Sequence, residues 1–191
     1  PAPNLSHQLI GANGPLPFDS ASFDVVLSFQ VIEHVRDDVG YIAEALRVLR
    51  PGGTLIVITP NRAVCLLPGQ RPWNRWHLRE YDATGLERLF PQQACTVDMR
   101  FMQADGEVAR LELTRYRRLK WLTIPATIPL LPDTVRVAAL NMMHGLNRTR
   151  AARARTSEGS DGLGYLEECA IRVGDDERDA LNLVAIATVL D

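Results

Sequence analysis

The chain has 191 residues, enough for one domain with a sizeable buried core. Its 46% apolar and 23% charged residues are ordinary globular values, which excludes a disordered or fibrous chain. A net charge of -2 supplies no overall field for nucleic acid or an anionic membrane, and no apolar run reaches the roughly 18 residues that span a bilayer.

In chain order, Leu9-Ile10 close a short strand near Gln8–Ile10, ended by the turn cluster Gly11-Ala12-Asn13-Gly14-Pro15. Asp24–Phe29 is a continuous apolar run between polar residues, the pattern of a strand buried on both faces in a parallel sheet. Asp37-Asp38 favour a helix start, and Val39, Ile42, Ala43, Leu46 and Leu49 keep a helical period. Pro51-Gly52-Gly53 should stop that helix, and Thr54–Thr59 reads as a second buried strand rich in β-branched residues. Strand, helix and strand at this spacing form a βαβ unit with an expected right-handed crossover. An irregular stretch with Pro68-Gly69, Pro72, Trp73 and Trp76 follows, then a helix over Ala83–Phe90 and a strand over Thr96–Met102. Glu107–Leu122 reads as helical, prolines 125, 129 and 132 interrupt the chain, and Asp133 can cap a helix running to about Arg153. Thr156–Gly164 is a polar, glycine-rich linker, and Cys169–Val173 and Leu181–Leu190 read as closing strands. The expected division is a core over 1–105, a basic helical insert over 106–165 and closing strands over 166–191.

Charge is unevenly spread. Between Arg110 and Arg155 ten Lys/Arg residues face only Glu112 and Asp133. A solvated helical face is the preferred reading, an anionic partner the lesser one. The apolar residues of the 134–153 helix suit core or a substrate lid better than a membrane surface. Cys65, Cys95 and Cys169 are odd in number, far apart and without metal-ligand spacing, which suits reduced thiols in the cytoplasm. No signal-peptide pattern opens the chain, and Pro1 in place of an initiator Met suggests processing or truncation.

The order Leu16-Pro17-Phe18, Ser22-Phe23-Asp24-Val25-Val26-Leu27-Ser28, Ile32-Glu33-His34-Val35 and Leu46-Arg47-Val48-Leu49-Arg50-Pro51-Gly52-Gly53 resembles the middle of a class I S-adenosylmethionine-dependent methyltransferase, of the small-molecule branch. Leu181–Ala187 is similar to the last strand of that family. The resemblance implies an α/β, Rossmann-like doubly wound sheet in the order 3-2-1-4-5-7-6, with strand 7 antiparallel. On that template Gln8–Ile10 would be strand 3, Asp24–Phe29 strand 4, Thr54–Thr59 strand 5, Thr96–Met102 strand 6 and Leu181–Leu190 strand 7. Strands 1 and 2, with their glycine-rich cofactor loop, have no counterpart, so the chain reads as an N-terminally truncated member that keeps strands 3–7 around a helical insert. Strand 4 would then present an apolar edge, and either another chain or the N-terminal segment should pair with it.

The cofactor implied is S-adenosylmethionine, with Ala12, Asn13, Ser28, Phe29 and Gln30 on the adenine and methyl side. The acceptor would be small or lipid-linked, methylated on oxygen or nitrogen. His34 is the candidate base, because an imidazole titrates near neutrality; orienting the loop by hydrogen bonding together with Glu33 is the preferred reading of the pair. His77, Arg79 and Tyr81 stand in a loop that could overhang the substrate. No metal-ligating set and no nucleic-acid partner are expected, while a homodimer through the strand-4 edge is. The competing readings are a non-catalytic interaction module and, more weakly, a nucleotide-binding oxidoreductase.

Overall fold

The computed structural model describes residues 4–10, 14–143 and 171–190. The strands are β1 (Phe23–Phe29), β2 (Leu49–Pro60), β3 (Cys95–Ala104), β4 (Ile171–Gly174) and β5 (Asn182–Val189). The helices are α1 (Asp38–Arg47), α2 (Arg62–Cys65), α3 (Ala83–Glu87), α4 (Glu107–Leu122), α5 (Ile124–Thr127) and α6 over 133–143, with a 3-10 turn at Ile32–His34.

The strands form one sheet in the order β1-β2-β5-β3-β4. β1 and β2 run parallel, joined through α1, and β5 inserts antiparallel between β2 and β3. This is the expected 4-5-7-6 order, and β4 adds an antiparallel strand outside β3. Leu55, Val57, Leu183, Ala185 and Ala187 line one face of the sheet. Ile42, Ala45 and Leu46 of α1 and Leu86 of α3 bury that face, which is why an amphipathic helix follows β1. The Asp37 carboxylate accepts from the Gly40 N–H at 2.9 Å and caps α1, as the paired aspartates implied.

Three expectations need correction. Gln8–Ile10 forms no strand: Leu9 is almost fully exposed, and in the expected order its partner would be a strand 2, for which the described residues hold no counterpart. β1 is buried on one face only, because Phe23, Val26 and Ser28 face α1 while Val25, Leu27 and Phe29 are each more than half exposed. Among the described residues nothing pairs with its outer side, so the N-terminal segment described does not slide in beside it. Finally, α1 ends at Arg47 and β2 already begins at Leu49. Pro51-Gly52-Gly53 is therefore an irregularity within a strand rather than a helix stop, with Gly52 in left-handed backbone at φ 74°. A Cβ on Gly53 would stand 2.8 Å from the Arg50 carbonyl and 3.2 Å from that of Asp24, so only glycine lets the two strands approach there.

Helix α4 carries Arg110, Arg115, Arg117 and Arg118 on its exposed side; Arg115 pairs with Glu112 and Arg117 with Asp179. Gln70 holds α4 and α5 to the loop after β2. Its amide donates to the Lys120 carbonyl at 2.8 Å and to Thr127 Oγ1 at 2.8 Å, while its oxygen accepts from the Leu67 N–H. No described helix is long and apolar enough to cross a membrane. Cys65 and Cys95 are free and buried. Desolvation, with the nearby Glu80 charge, pushes the Cys65 thiol far up, which makes it inert at neutral pH. The 156–164 linker, Cys169 and the distal half of the 134–153 helix lie outside the described residues.

Candidate functional site

The carboxyl ends of β1 and β2 converge where open α/β sheets bind ligands. Ser28 is buried, and its hydroxyl accepts from Tyr41 of α1 at 2.8 Å. Phe29 points to the open face. Gln30 turns the chain out of β1 in left-handed backbone at φ 55°, uncommon for a residue with a side chain. Its backbone N–H donates to the Ile58 carbonyl and its side-chain amide to Asn182 Oδ1, both at 2.8 Å. That strained exit aims the following 3-10 turn across the sheet end.

Glu33 and His34 ride on this turn. Glu33 is fully buried; one oxygen accepts from Thr59 Oγ1 at 3.0 Å and the other, Oε1, has no partner. His34 Nδ1 lies 2.9 Å from the Trp76 carbonyl oxygen. A carbonyl only accepts, so Nδ1 carries the proton and Nε2 keeps its lone pair. His77 is buried beside it, the two rings edge to face at 4.9 Å. His77 Nδ1 lies 2.9 Å from Glu80 Oε1, which fixes the same tautomer, and its Nε2 faces the Asn74 side-chain amide at 2.8 Å. The Trp76 N–H donates to Asn74 Oδ1 and so orients that amide.

The remaining predicted residues do different work. Arg79 is ion-paired with Asp38 and donates to the Arg36 carbonyl at 3.0 Å. Tyr81 is buried, and its hydroxyl donates to Asp38 Oδ2 at 2.7 Å. Burial opposes the Asp38 charge, yet Tyr81 and Arg79 outweigh it and hold the carboxyl below its ordinary range. Burial and the Asp38 carboxylate push the Tyr81 phenol up. Arg79 and Tyr81 thus tie the 74–81 loop to the start of α1, while His77 comes together with His34. Ala12 and Asn13 lie outside the described residues.

A cleft of about 420 Å³ opens beside His34, between α1, the 3-10 turn and the residues Ile10, Gly14 and Leu16. Ile10, Leu16, Val31 and Val35 line it together with Asp37, Tyr41 and Glu44. Ser28, Phe29 and Gln30 are not among the residues that line it. The sequence alone missed Thr59 and Asp38, whose partners lie far along the chain, and Asn74, whose partners are the nearby Trp76 and His77. The three-residue spacings Asn74–His77 and His77–Glu80 were the readable signals.

Residues 3–57 match the sequence model of a family described as a methyltransferase domain. The chain is 49% identical over 75 residues to a probable S-adenosylmethionine-dependent methyltransferase of Mycolicibacterium smegmatis, over 39% of this chain and 29% of that protein. It is 39% identical over 70 residues to a demethylmenaquinone methyltransferase of Tropheryma whipplei, over 35% and 27% of the two. The chain thus spans less than a third of the length of these relatives. Among solved structures, an S-adenosylmethionine-dependent methyltransferase from Mesorhizobium loti is similar with a TM-score of 0.49 at 9% identity, over 98% of this chain and 71% of that one.

Proposed function

We propose that the protein takes part in S-adenosylmethionine-dependent methyl transfer to an oxygen or nitrogen of a small or lipid-linked acceptor, with His34 facing the acceptor. The observation that carries this reading is the match of residues 3–57 to a methyltransferase domain, inside which His34 presents an unprotonated Nε2 beside a ligand-sized cleft. The residues present fit one side of the cofactor. Ile10, Leu16, Val31 and Val35 offer apolar walls for a flat ring, and the Asp37 and Glu44 carboxylates offer acceptors for hydroxyl or amino groups. When bound, the cofactor supplies a methyl group on a positively charged sulfur.

This chain's own residues would position the acceptor and receive its proton. His34 Nε2 can accept a proton from an acceptor hydroxyl or amine, and the Trp76 carbonyl steadies the resulting imidazolium through Nδ1–H. The name of the Tropheryma relative, a demethylmenaquinone methyltransferase, supports a quinone-type acceptor. The test is transfer of label from radioactive S-adenosylmethionine to a panel of phenols, hydroquinones and amines. His34→Ala should lower kcat by about 10²–10⁴; equal rates for wild type and variant would remove His34 from the reaction.

A second reading, a non-catalytic module that pairs with another chain, is favoured by one observation. The outer edge of β1 is unpaired among the described residues, and Val25, Leu27 and Phe29 stand exposed along it. Cofactor binding separates the two readings.

A further inference from the structure

We propose that Glu33, His34 and His77 form a binding site for a divalent transition-metal ion of the zinc class. One donor atom from each lies within 4.8 Å of the other two. Three independent features of the cluster point the same way.

The first is the tautomer of both histidines. A metal-binding imidazole gives its second N–H to a carboxylate or backbone carbonyl, which leaves the other nitrogen free to coordinate. His77 gives Nδ1–H to Glu80, and His34 gives Nδ1–H to the Trp76 carbonyl. The Nε2 of His34 is left with its lone pair, while that of His77 accepts from the Asn74 amide at 2.8 Å.

The second is Glu33. It is fully buried, its Oε2 is held by Thr59, and its Oε1 has no hydrogen-bond partner while standing 4.0 Å from His34 Nε2. A buried carboxylate oxygen without a partner is costly, and a cation is the ligand that would satisfy it.

The third is the ligand chemistry. Two imidazoles and one carboxylate match zinc, cobalt or iron(II), whereas magnesium and calcium prefer oxygen donors. Donors held about 2.0–2.2 Å from a tetrahedral ion stand roughly 3.4 Å apart. The donors, up to 4.8 Å apart, therefore need to close by as much as about 1.4 Å, and the Asn74 amide must give up its contact with His77 Nε2. The side chain of His34 is 41% exposed, so the ion can enter from solvent and keep an open position there. That open position suits an oxygen ligand, whose proton a bound cation makes more acidic. With the ion in place His34 Nε2 is occupied, and the cation would take over its role toward a hydroxyl acceptor. Metal binding itself is independent of the methyl-transfer reading.

The experiment is calorimetric titration of zinc into protein stripped with EDTA, with cobalt as the spectroscopic probe. One site of micromolar affinity is expected, with cobalt d–d absorption of tetrahedral intensity. His34→Ala and Glu33→Gln should each weaken zinc at least roughly tenfold and abolish the cobalt band. His7→Ala, which changes a histidine outside the cluster, should change neither. Because His34 is partly exposed, its alanine variant should keep the wild-type far-UV circular dichroism, which separates loss of ligand from loss of fold. Absence of zinc binding by folded wild type at submillimolar concentration would overturn the proposal, and so would equal binding by wild type, His34→Ala and Glu33→Gln.

Discussion

Replacing Glu33 by Gln should stabilise the metal-free fold. The wild-type carboxylate is fully buried, with one oxygen bonded to Thr59 at 3.0 Å and the other without a partner. Glutamine has nearly the same shape. Its oxygen can keep the Thr59 bond, and its NH2 falls where Oε1 now faces the lone pair of His34 Nε2. Replacing a buried unsatisfied carboxylate oxygen by an amide NH2 that closes on the His34 Nε2 lone pair is worth about 1–3 kcal/mol. In a chain of this size each 1 kcal/mol moves Tm by about 2–4 °C, so a rise of several degrees is expected. Urea unfolding in EDTA checks this: the midpoint should move up with an unchanged m value. Saturating zinc should reverse the ranking, since an ion that binds the native state stabilises it by RT ln(1 + [L]/Kd) and wild type binds more tightly. A Glu33→Gln protein less stable than wild type in EDTA by more than about 1 kcal/mol would refute the reasoning, for it would mean that the carboxylate is already satisfied.

Asp38→Asn should destabilise the fold at pH 7 by about 1–3 kcal/mol, because the charge that holds Arg79 is lost. The folded Asp38 carboxyl lies below its ordinary 3.8, so its contribution is present above that value and lost as pH falls through the folded pKa; the variant and wild type should converge in acid unfolding. Gln70→Ala leaves the Lys120 carbonyl and the Leu67 N–H without their partner, and hydrogen exchange should quicken across 107–127 while the β2–β5 ladder stays protected. Leu27→Lys on the open face of β1 should abolish any concentration-dependent dimer seen by analytical ultracentrifugation; a wild type that stays monomeric at high concentration would remove the edge-pairing reading.

The strands of the sheet were legible because apolar runs such as Val25–Leu27 and Leu183–Ala187 leave little else for the chain to do. Their edges were not. Pro51-Gly52-Gly53 has the composition of a helix stop, and only the approach of the Asp24 carbonyl to Gly53 shows it to be a tight place inside β2. The apolar pair Leu9-Ile10 looked like a strand, but a strand exists only beside a partner, and none is present for it among the described residues. At the site, His34 stood out through the Ile32-Glu33-His34-Val35 motif. Its neighbours did not: Thr59 is 26 residues from Glu33 and Trp76 is 42 from His34. Contacts of that range come from the sheet order rather than from any local pattern. His77, Arg79 and Tyr81 looked alike on a loop, and only the positions of Glu33, His34 and Asp38 separate a cluster member from two tethers.

The most direct test of the account is calorimetric titration of S-adenosylhomocysteine into the folded protein. Methyl-transfer chemistry built around the cleft beside His34 predicts one site of micromolar affinity, weakened by a Val31→Asp substitution in the cleft wall. A folded protein that gives no heat with the ligand, whether or not zinc is present, would contradict it.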